Sequence, residues 1–175
     1  ILCLAKDFGD LGERMARMVV GFTYKGEPIR AEAVKAVGAM QVLMRDAIHP
    51  NLVQSLEGTP AFVHAGPFAN IAQGTNTSVA TRLALKLADY VVTEAGFATD
   101  LGAEKFFHIK CRAAGLKPAT VVIVVTTKAI AYHGGFTEAG GLGNLAKHIE
   151  NIRLFGRDPV VCIRQFPDDK PADYA

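Results

Sequence analysis

The stretch that decides the fold is TPAFVHAGPFANIAQGTNTSVATRLALKLADYVVTEAGFATD, residues 59–100. It contains an apolar segment from Ala61 to Ala65, a turn rich in small and polar residues, a helical pattern, and a second apolar segment from Tyr90 to Thr93. This order predicts a βαβ unit with two parallel strands and a right-handed crossover. Loops that leave the carboxyl ends of such strands form the ligand crevice of an open α/β sheet. Residues 66–76 and 93–100 are therefore predicted to line one site.

Outward from this stretch, strands and helices continue to alternate toward the carboxyl end. Thr120 to Thr127 is rich in β-branched residues, which predicts a strand buried on both faces, and Pro159 to Ile163 predicts another. Amphipathic patterns predict helices over residues 11–20, 31–47, 77–88, 101–114 and 142–155. The predicted fold class is α/β, with a mostly parallel sheet flanked by helices. We expect a helical part over residues 1–58 and a parallel α/β part over residues 59–175 that carries the site.

The composition argues against several classes of protein. The formal net charge is +2, and the basic residues do not gather in a stripe, so no nucleic-acid partner is expected. No apolar run is long enough to span a bilayer, so no membrane partner is expected either. Cys3, Cys111 and Cys162 fit neither a zinc site nor a disulfide framework, and the expected compartment is the cytoplasm. Both ends look cut, so we expect these 175 residues to belong to a longer protein.

Polar and aromatic side chains gather in the four segments that follow the predicted strands. Such a mixture suits a nucleotide or a heteroaromatic ring. The candidates are Phe68, Asn70, Gln73, Thr75, Asn76, Glu94, Phe97, Asp100, Lys128, His133, Phe166 and Asp169.

Glu94 ends an apolar segment, where phosphate-handling α/β proteins often have an acid that holds a hydrated Mg²⁺. The alternative is a carboxylate that caps the next helix. Gly66, Gly74 and Gly96 either let the main chain approach phosphate oxygens or serve tight turns. The phosphate-loop pattern GxxxxGK[ST], the nucleophile elbow and a GxGxxG turn are absent from the sequence. The residues alone therefore predict an α/β ligand-binding chain, with nucleotides as the candidate ligand.

Several long strings resemble one known family. They are AIHPNLVQ at residues 47–54, TPAFVHAGPFANIA at 59–72, VVTEAGF at 91–97, DLGAEKFF at 100–107, IKCR at 109–112 and KHIENI at 147–152. These strings extend over nearly the whole chain, and through them it resembles the formate–tetrahydrofolate ligases.

The resemblance implies ATP-dependent ligation of formate to tetrahydrofolate, which gives 10-formyltetrahydrofolate through formyl phosphate in the presence of Mg²⁺. It also implies a cytoplasmic homo-oligomer, a P-loop-NTPase-like core that lacks its phosphate-loop segment here, and room for a monovalent cation. The residues that match the family's site fall into three groups. They are Asn70, Gln73 and Asn76 for catalysis, Gly74, Glu94, Gly96 and Asp100 for the nucleotide and Mg²⁺ (with Glu94 as the metal ligand), and Phe68, Phe166 and Pro167 for the folate.

Some residues depart from the pattern that the family usually has. Gln73 stands in place of a His, Lys128 in place of an Arg, and Arg164-Gln165 in place of Asn-Arg. These departures leave an alternative open, namely a truncated and catalytically inactive paralogue that serves as a folate-binding, nucleotide-binding or interaction module. An assay of ATP- and formate-dependent ligation discriminates between the two.

Overall fold

Helices and three small sheets make up the structure, a computed structural model that describes residues 1–135 and 138–169. The helices are α1 (Phe8–Ala16), α2 (Val37–Met44), α3 (Ser78–Leu87), α4 (Arg112–Ala114), α5 (Thr127–His133) and α6 (Glu138–Arg153), with a 3-10 turn at Leu2–Leu4. The strands are β1 (Val19–Phe22), β2 (Pro28–Arg30), β3 (Asn51–Gln54), β4 (Pro60–Val63), β5 (Val121–Val125) and β6 (Pro159–Ile163). The architecture is α/β, as predicted.

An irregular helix covers residues 98–114 and packs beside the predicted site. Two of its pieces, Ala98–Ala103 and Phe106–Cys111, have π-helical hydrogen bonding, and α4 is its last turn. Gly115 ends it with φ 68°, the left-handed conformation that favours glycine after a helix. The sequence predicted a regular α-helix over residues 101–114. The position of the helix is confirmed, but its α-helical hydrogen bonding is wrong over the two π-helical pieces.

The strands pair two by two, and one of the three pairs is parallel. β5 and β6 run parallel with Val121 opposite Pro159 and Val125 opposite Ile163, whereas β1–β2 and β3–β4 are antiparallel. The prediction of one mostly parallel sheet is therefore wrong for the described part of the chain. β4 forms a hairpin with β3 because the intervening turn closes locally, with the Ser55 N–H donating to the Thr59 carbonyl over 2.9 Å.

The predicted strand from Tyr90 to Thr93 is absent, since residues 90–96 run without a regular ladder. Val92 is 96% exposed and Tyr90 is 91% exposed. A strand needs a neighbour for its main-chain hydrogen bonds, and no described segment pairs with this one. The apolar composition of residues 90–93 favours a strand, but no described segment lies beside them to form the main-chain hydrogen bonds of a sheet.

β5 is also less buried than predicted. Its residues alternate between half-buried and exposed, and Val122 and Val124 are 54% and 63% exposed. The whole chain has an accessible surface of 11,997 Å², against roughly 8,300 Å² for a compact monomer of this mass. Exposed apolar side chains on β5 and on α2, such as Val124 at 63% and Leu43 at 82%, contribute to this surface.

Side-chain caps begin α1 and α3. Thr77 caps α3 by accepting from the Ala80 N–H over 3.1 Å, and Asp7 caps α1 by accepting from the Asp10 N–H over 2.8 Å. The best-packed core lies at the amino end, where α1 and α2 enclose Leu11, Met15 and Ile48. Leu11 is fully buried, which fits the amphipathic pattern of the first predicted helix.

The expected boundary between the two parts of the chain, at residues 58 and 59, falls inside the β3–β4 hairpin. The division itself stays a prediction. Within the described ranges, no helix has both the length and the apolar character required to cross a bilayer.

Candidate functional site

One pocket of about 480 Å³ lies between the loop after β4 and the segment after α3, a size within the roughly 300–1,000 Å³ range of small-molecule sites. We call residues 66–76 the site loop. The predicted site residues that line the pocket are Phe68, Asn70, Gln73, Thr75, Asn76, Glu94, Gly96 and Phe97. The structure therefore brings together two of the four segments that the sequence singled out, even though only the first of them follows a strand.

Hydrogen bonds within the site loop fold it back on itself. The N–H groups of Ile71 and Ala72 donate to the Phe68 carbonyl over 3.1 and 3.0 Å, and the Gly74 N–H donates to the Ala69 carbonyl over 2.8 Å. The turn leaves Phe68 74% exposed at the pocket. An exposed aromatic ring at a pocket can stack on a flat ligand.

Gln73 and Thr75 are both buried, and Thr75 ties the site loop to the segment that carries Glu94. The Gln73 side-chain amide donates to the Thr75 carbonyl, and the hydroxyls of Thr75 and Thr93 hydrogen-bond to each other. This places Glu94 one residue beyond a direct link between the two walls of the pocket. The position of Gln73, predicted as catalytic, is thus fixed by its own amide contact.

Asn76 braces the end of the site loop. Its amide nitrogen donates to the Phe62 carbonyl in β4 over 2.9 Å, and its amide oxygen accepts from the Thr77 N–H over 2.7 Å. One amide hydrogen remains for a ligand. The side chain of Asn70, by contrast, has no hydrogen-bond partner among the residues that the structure describes, so Asn70 is the amide with more freedom to contact a substrate.

His64 lines the pocket, although its sequence context did not predict a site residue. It is 7% exposed, and its ring nitrogens lie 2.7 Å from the Thr77 hydroxyl and 2.7 Å from the Ala47 carbonyl. A carbonyl only accepts, so Nε2 carries a hydrogen and donates to Ala47, while Nδ1 accepts from the Thr77 hydroxyl. With both nitrogens occupied, His64 is a structural histidine.

Glu94 lines the pocket and is exposed. No ion pair or side-chain hydrogen bond joins its carboxylate to any residue in the described ranges, and it does not cap the helix that follows. Gly96 has φ 70°, and a Cβ there would lie 2.9 Å from the Asn70 nitrogen. The glycine therefore lets the Glu94 segment approach the site loop closely.

Gly74 does not line the pocket. A Cβ at this residue would lie 2.3 Å from the Phe106 nitrogen and 2.4 Å from the Gly102 oxygen, and its φ is 92°. The close approach that Gly74 permits is to the irregular helix. Of the two readings of this glycine, the structure supports packing and backbone conformation; its predicted nucleotide contact stays a prediction.

Asp100 faces a second, smaller pocket of about 260 Å³, together with Glu104, Lys105 and His108. It lies within the first turn of the irregular helix, whose cap position is Phe97. Among the described residues, the Nδ1 atom of His148 lies 3.9 Å from the Asp100 carboxylate. Asp100 and Glu94 therefore face different pockets.

Phe166 and Pro167 belong to a second cluster, beyond the end of β6, and are not among the residues that line the main pocket. The Lys128 ammonium lies 4.9 Å and the Arg164 guanidinium 5.2 Å from the centre of the Phe166 ring. Lys128 also pairs with Asp168 over 2.7 Å, and this pair lowers the pKa of the Asp168 carboxyl. The segments after β5 and β6 thus meet each other, as neighbouring parallel strands require.

Two lysines of the irregular helix, neither of them predicted as a site residue, contact the site loop. The Lys105 ammonium donates to the Asn70 carbonyl over 2.6 Å. The Lys110 ammonium donates to the Asn76 carbonyl and, over 2.7 Å, to the Thr81 hydroxyl. An α-helical pattern sets residues five apart on different faces, so no periodicity signal pointed to this pair.

A divalent cation fits this site only in part. No group of three or more His, Cys, Asp or Glu side chains close enough to hold a metal occurs within the described ranges. Mg²⁺, however, is commonly held by one or two carboxylates together with water and substrate phosphates. Glu94 offers one such carboxylate, so the chain suits a magnesium ion that arrives with a phosphorylated ligand.

The pocket between the loop after β4 and the segment after α3, with its amides, its unpaired carboxylate and its exposed aromatic ring, has the lining expected of a small-molecule site in an α/β protein. A family model described as formate–tetrahydrofolate ligase matches residues 1–175. The chain belongs to the formate–tetrahydrofolate ligase family. It is 54% identical, over 186 aligned positions, to the formate–tetrahydrofolate ligase of Symbiobacterium thermophilum. The alignment covers 99% of this chain and 34% of that relative, so the chain spans about a third of the relative's length.

Proposed function

We propose that the protein carrying this chain joins formate to tetrahydrofolate at the expense of ATP. In this reaction a formate oxygen attacks the γ-phosphorus of ATP, ADP leaves, and formyl phosphate forms. The N10 amine of tetrahydrofolate then attacks the formyl carbon, phosphate leaves, and 10-formyltetrahydrofolate results. Family membership over residues 1–175 is the observation that supports this proposal.

The chain's own residues have defined parts in the proposal. Asn70 and Gln73 would orient the transferred phosphoryl group, with Asn76 holding the site loop in place. The unpaired carboxylate of Glu94 would hold Mg²⁺ together with the nucleotide phosphates, and Mg²⁺ would supply neutralisation of the charge that develops on them. Gly96 would keep the two pocket walls close, with Gly74 and Asp100 on the side of the nucleotide.

The folate would bind at the aromatic residues. Phe68 is exposed at the pocket, and Phe166 with Pro167 forms the turn after β6. Phe166 and Asp169 stabilise this turn, since the Phe166 N–H donates to the Asp169 carboxylate over 2.8 Å. A pterin is flat and aromatic, so it gains from stacking on such rings.

The rest of the protein would complete the fold. We propose that β5 and β6 lie within a larger, mostly parallel sheet of P-loop-NTPase type, to which residues 90–93 add a strand once a neighbour is present. The excess accessible surface and the half-exposed β5 support this. The phosphate loop, absent from these residues, would come from elsewhere in the protein. A cytoplasmic homo-oligomer, with a monovalent cation as a further ligand, completes the proposal.

The decisive experiment measures ATP- and formate-dependent synthesis of 10-formyltetrahydrofolate. A full-length protein that carries these residues is expected to turn over, whereas the 175 residues alone are expected not to, because the phosphate-positioning lysine and main-chain cradle supply most of phosphoryl-transfer catalysis. A full-length protein that binds tetrahydrofolate but forms no product would contradict the proposal. That result would favour the inactive paralogue instead.

A further inference from the structure

Two lysines of the irregular helix contact main-chain carbonyls of the site loop. Lys105 donates to the Asn70 carbonyl over 2.6 Å, and Lys110 donates to the Asn76 carbonyl. Neither carbonyl belongs to a helix or strand ladder, so each depends on other donors. The Asn76 carbonyl also accepts from the Gln73 side-chain amide over 3.5 Å. The two contacts lie on either side of Gln73 and Gly74.

The winding of the helix makes the double contact possible. Residues five apart in an α-helix point about 140° away from each other. The π-helical piece Phe106–Cys111 is wound more loosely, with hydrogen bonds that span five residues. Lys105 and Lys110 therefore reach the same loop, and single-turn π-helical insertions are frequent at functional sites.

Between the two lysines, the helix touches the loop directly. Gly74 packs so closely on the helix that a Cβ would lie 2.3 Å from the Phe106 nitrogen. The helix thus holds the loop at three successive points: Asn70, Gly74 and Asn76. It also packs against the Glu94 segment, since a Cβ at Gly102 would lie 1.7 Å from the Ala95 oxygen.

Lys110 is fully buried and lacks a carboxylate partner among the described residues. An ammonium in such a place is costly unless its hydrogen bonds are made. Its bonds go to the site loop and to Thr81 in α3. Burial lowers the pKa of Lys110 to about 8, because a buried ammonium loses the hydration that stabilises its charge.

We propose that Lys105 and Lys110 are positioning residues, which hold the site loop through its carbonyls so that Asn70 and Gln73 face the pocket. The consequence for ligation depends on the proposed function, whereas the ordering of the loop does not. The lysines need not touch substrate. Their contribution is the alignment of the residues that do.

Hydrogen–deuterium exchange tests the loop independently of ligation. In the full-length protein, Lys105→Met should raise the exchange rate of the Gly74 amide, and of its neighbours in the site loop, at least tenfold. Lys117→Met, a change at a lysine outside the site, should leave these amides unchanged. Equal exchange in Lys105→Met and the unmodified protein would overturn the proposal.

Steady-state kinetics test the effect on the reaction. Lys105→Met should lower kcat at least tenfold with KM for each substrate changed less than threefold, and Lys105→Arg should restore most of kcat, because a guanidinium also donates to a carbonyl. A kcat unaltered by Lys105→Met would overturn the role in ligation. Lys110→Met should give the same pattern. If that variant does not fold, the comparison of Lys105→Met with Lys105→Arg decides whether the lysines contribute to ligation. If the unmodified protein does not ligate formate, the proposed function fails, and the exchange result still decides whether the lysines order the loop.

Discussion

The Nδ1 atom of His64 lies 2.7 Å from the Oγ1 atom of Thr77, so the residue that follows β4 is joined to the residue that caps α3. The Thr77 hydroxyl also accepts from the Ala80 N–H, and the His64 Nε2 atom contacts the Ala47 carbonyl. Three parts of the chain thus meet beside the pocket. The wall of the pocket is therefore stabilised by hydrogen bonds between residues that lie far apart in the sequence.

Thr77→Val is expected to lower the free energy of unfolding by about 2–4 kcal/mol, because it removes a helix cap and leaves the buried His64 nitrogen without its partner. Urea unfolding measures the change. Thr126→Val is the matched control, since Thr126 caps α5 by accepting from the Ala129 N–H over 3.0 Å and has no histidine partner among the residues that the structure describes. Its expected loss is about 1 kcal/mol. Equal losses in the two variants would show that the His64 contact contributes nothing.

Gly74→Ala is expected to destabilise the protein by about 2–4 kcal/mol. Its φ of 92° is strained for alanine, and the new methyl group would collide with the irregular helix. Gly58→Ala shares the positive φ, at 86°, but meets nothing closer than 3.7 Å, so it should lose only about 1–2 kcal/mol. Thermal and urea unfolding compare the two. A Gly58 variant as unstable as the Gly74 variant would remove the packing explanation.

The stability of the protein should rise between about pH 8 and pH 10.5 through Lys110. Its pKa in the folded state is lowered from 10.5 to about 8. In this range the unfolded chain therefore still binds a proton that the folded chain has lost, so raising the pH stabilises the folded state. The gain approaches about 3 kcal/mol at the upper end. Below pH 8 both states are protonated, and this dependence of stability on pH is absent.

Unfolding curves across this range for the unmodified protein and for Lys110→Met measure the effect. Two thiols, Cys111 and Cys3, are the titratable groups that act on Lys110, and burial raises the pKa of the Cys111 thiol. Unfolding curves of Cys111→Ser therefore separate the contribution of Lys110 to the pH dependence from that of the Cys111 thiol. A difference between the unmodified protein and Lys110→Met that does not change with pH would contradict the assignment.

Glu94→Gln is expected to weaken binding of the Mg²⁺–nucleotide complex about 10- to 100-fold, because hydrogen bonds and metal contacts of a charged group contribute roughly 1.5–3 kcal/mol. Calorimetric titration of the full-length protein with the nucleotide, with and without Mg²⁺, measures this. The matched control is Glu57→Gln, at an exposed turn in the β3–β4 hairpin. Equal loss of affinity without Mg²⁺ would show that Glu94 does not act through the metal.

Phe166→Ala is expected to weaken tetrahydrofolate binding by about 1–3 kcal/mol if the ring stacks on the pterin, by analogy with base stacking. Fluorescence titration in the full-length protein measures the affinity. Tyr90→Ala removes an aromatic ring that is 91% exposed and lines neither pocket, and it should have no effect. An unchanged affinity in Phe166→Ala would exclude Phe166 from the folate site.

Sequence patterns predicted local structure better than they predicted pairing. The helix α3 and the strand β6 lie where propensity and periodicity indicated. The predicted parallel pairing of β4 was wrong, because the direction of a strand depends on which neighbour is available. The five residues that connect β3 to β4 favour an antiparallel hairpin between these two strands. The prediction of a strand at residues 90–93 was wrong for the same reason, because no described segment pairs with these residues.

The pocket could be predicted in part. Loops with small and polar residues indicated the site loop and the Glu94 segment correctly as neighbours. The lysine contacts could not be predicted, because they go to main-chain carbonyls, which every residue has, and because a π-helical winding has no distinct sequence period. Asp100 was placed with Glu94 by nearness in sequence, yet the turn at Gly96 and Phe97 directs the two carboxylates toward different pockets.

The parallel pairing of β5 with β6 has a consequence for biosynthesis. While the ribosome is still translating α5 and α6, β6 is not yet available to pair with β5, and the valines of β5 can associate with other nascent chains. We expect refolding yield to fall as protein concentration rises, and to recover when a chaperone is added or when Val122 and Val124 are replaced by threonine. A yield independent of concentration would show that this strand is shielded before its partner is made.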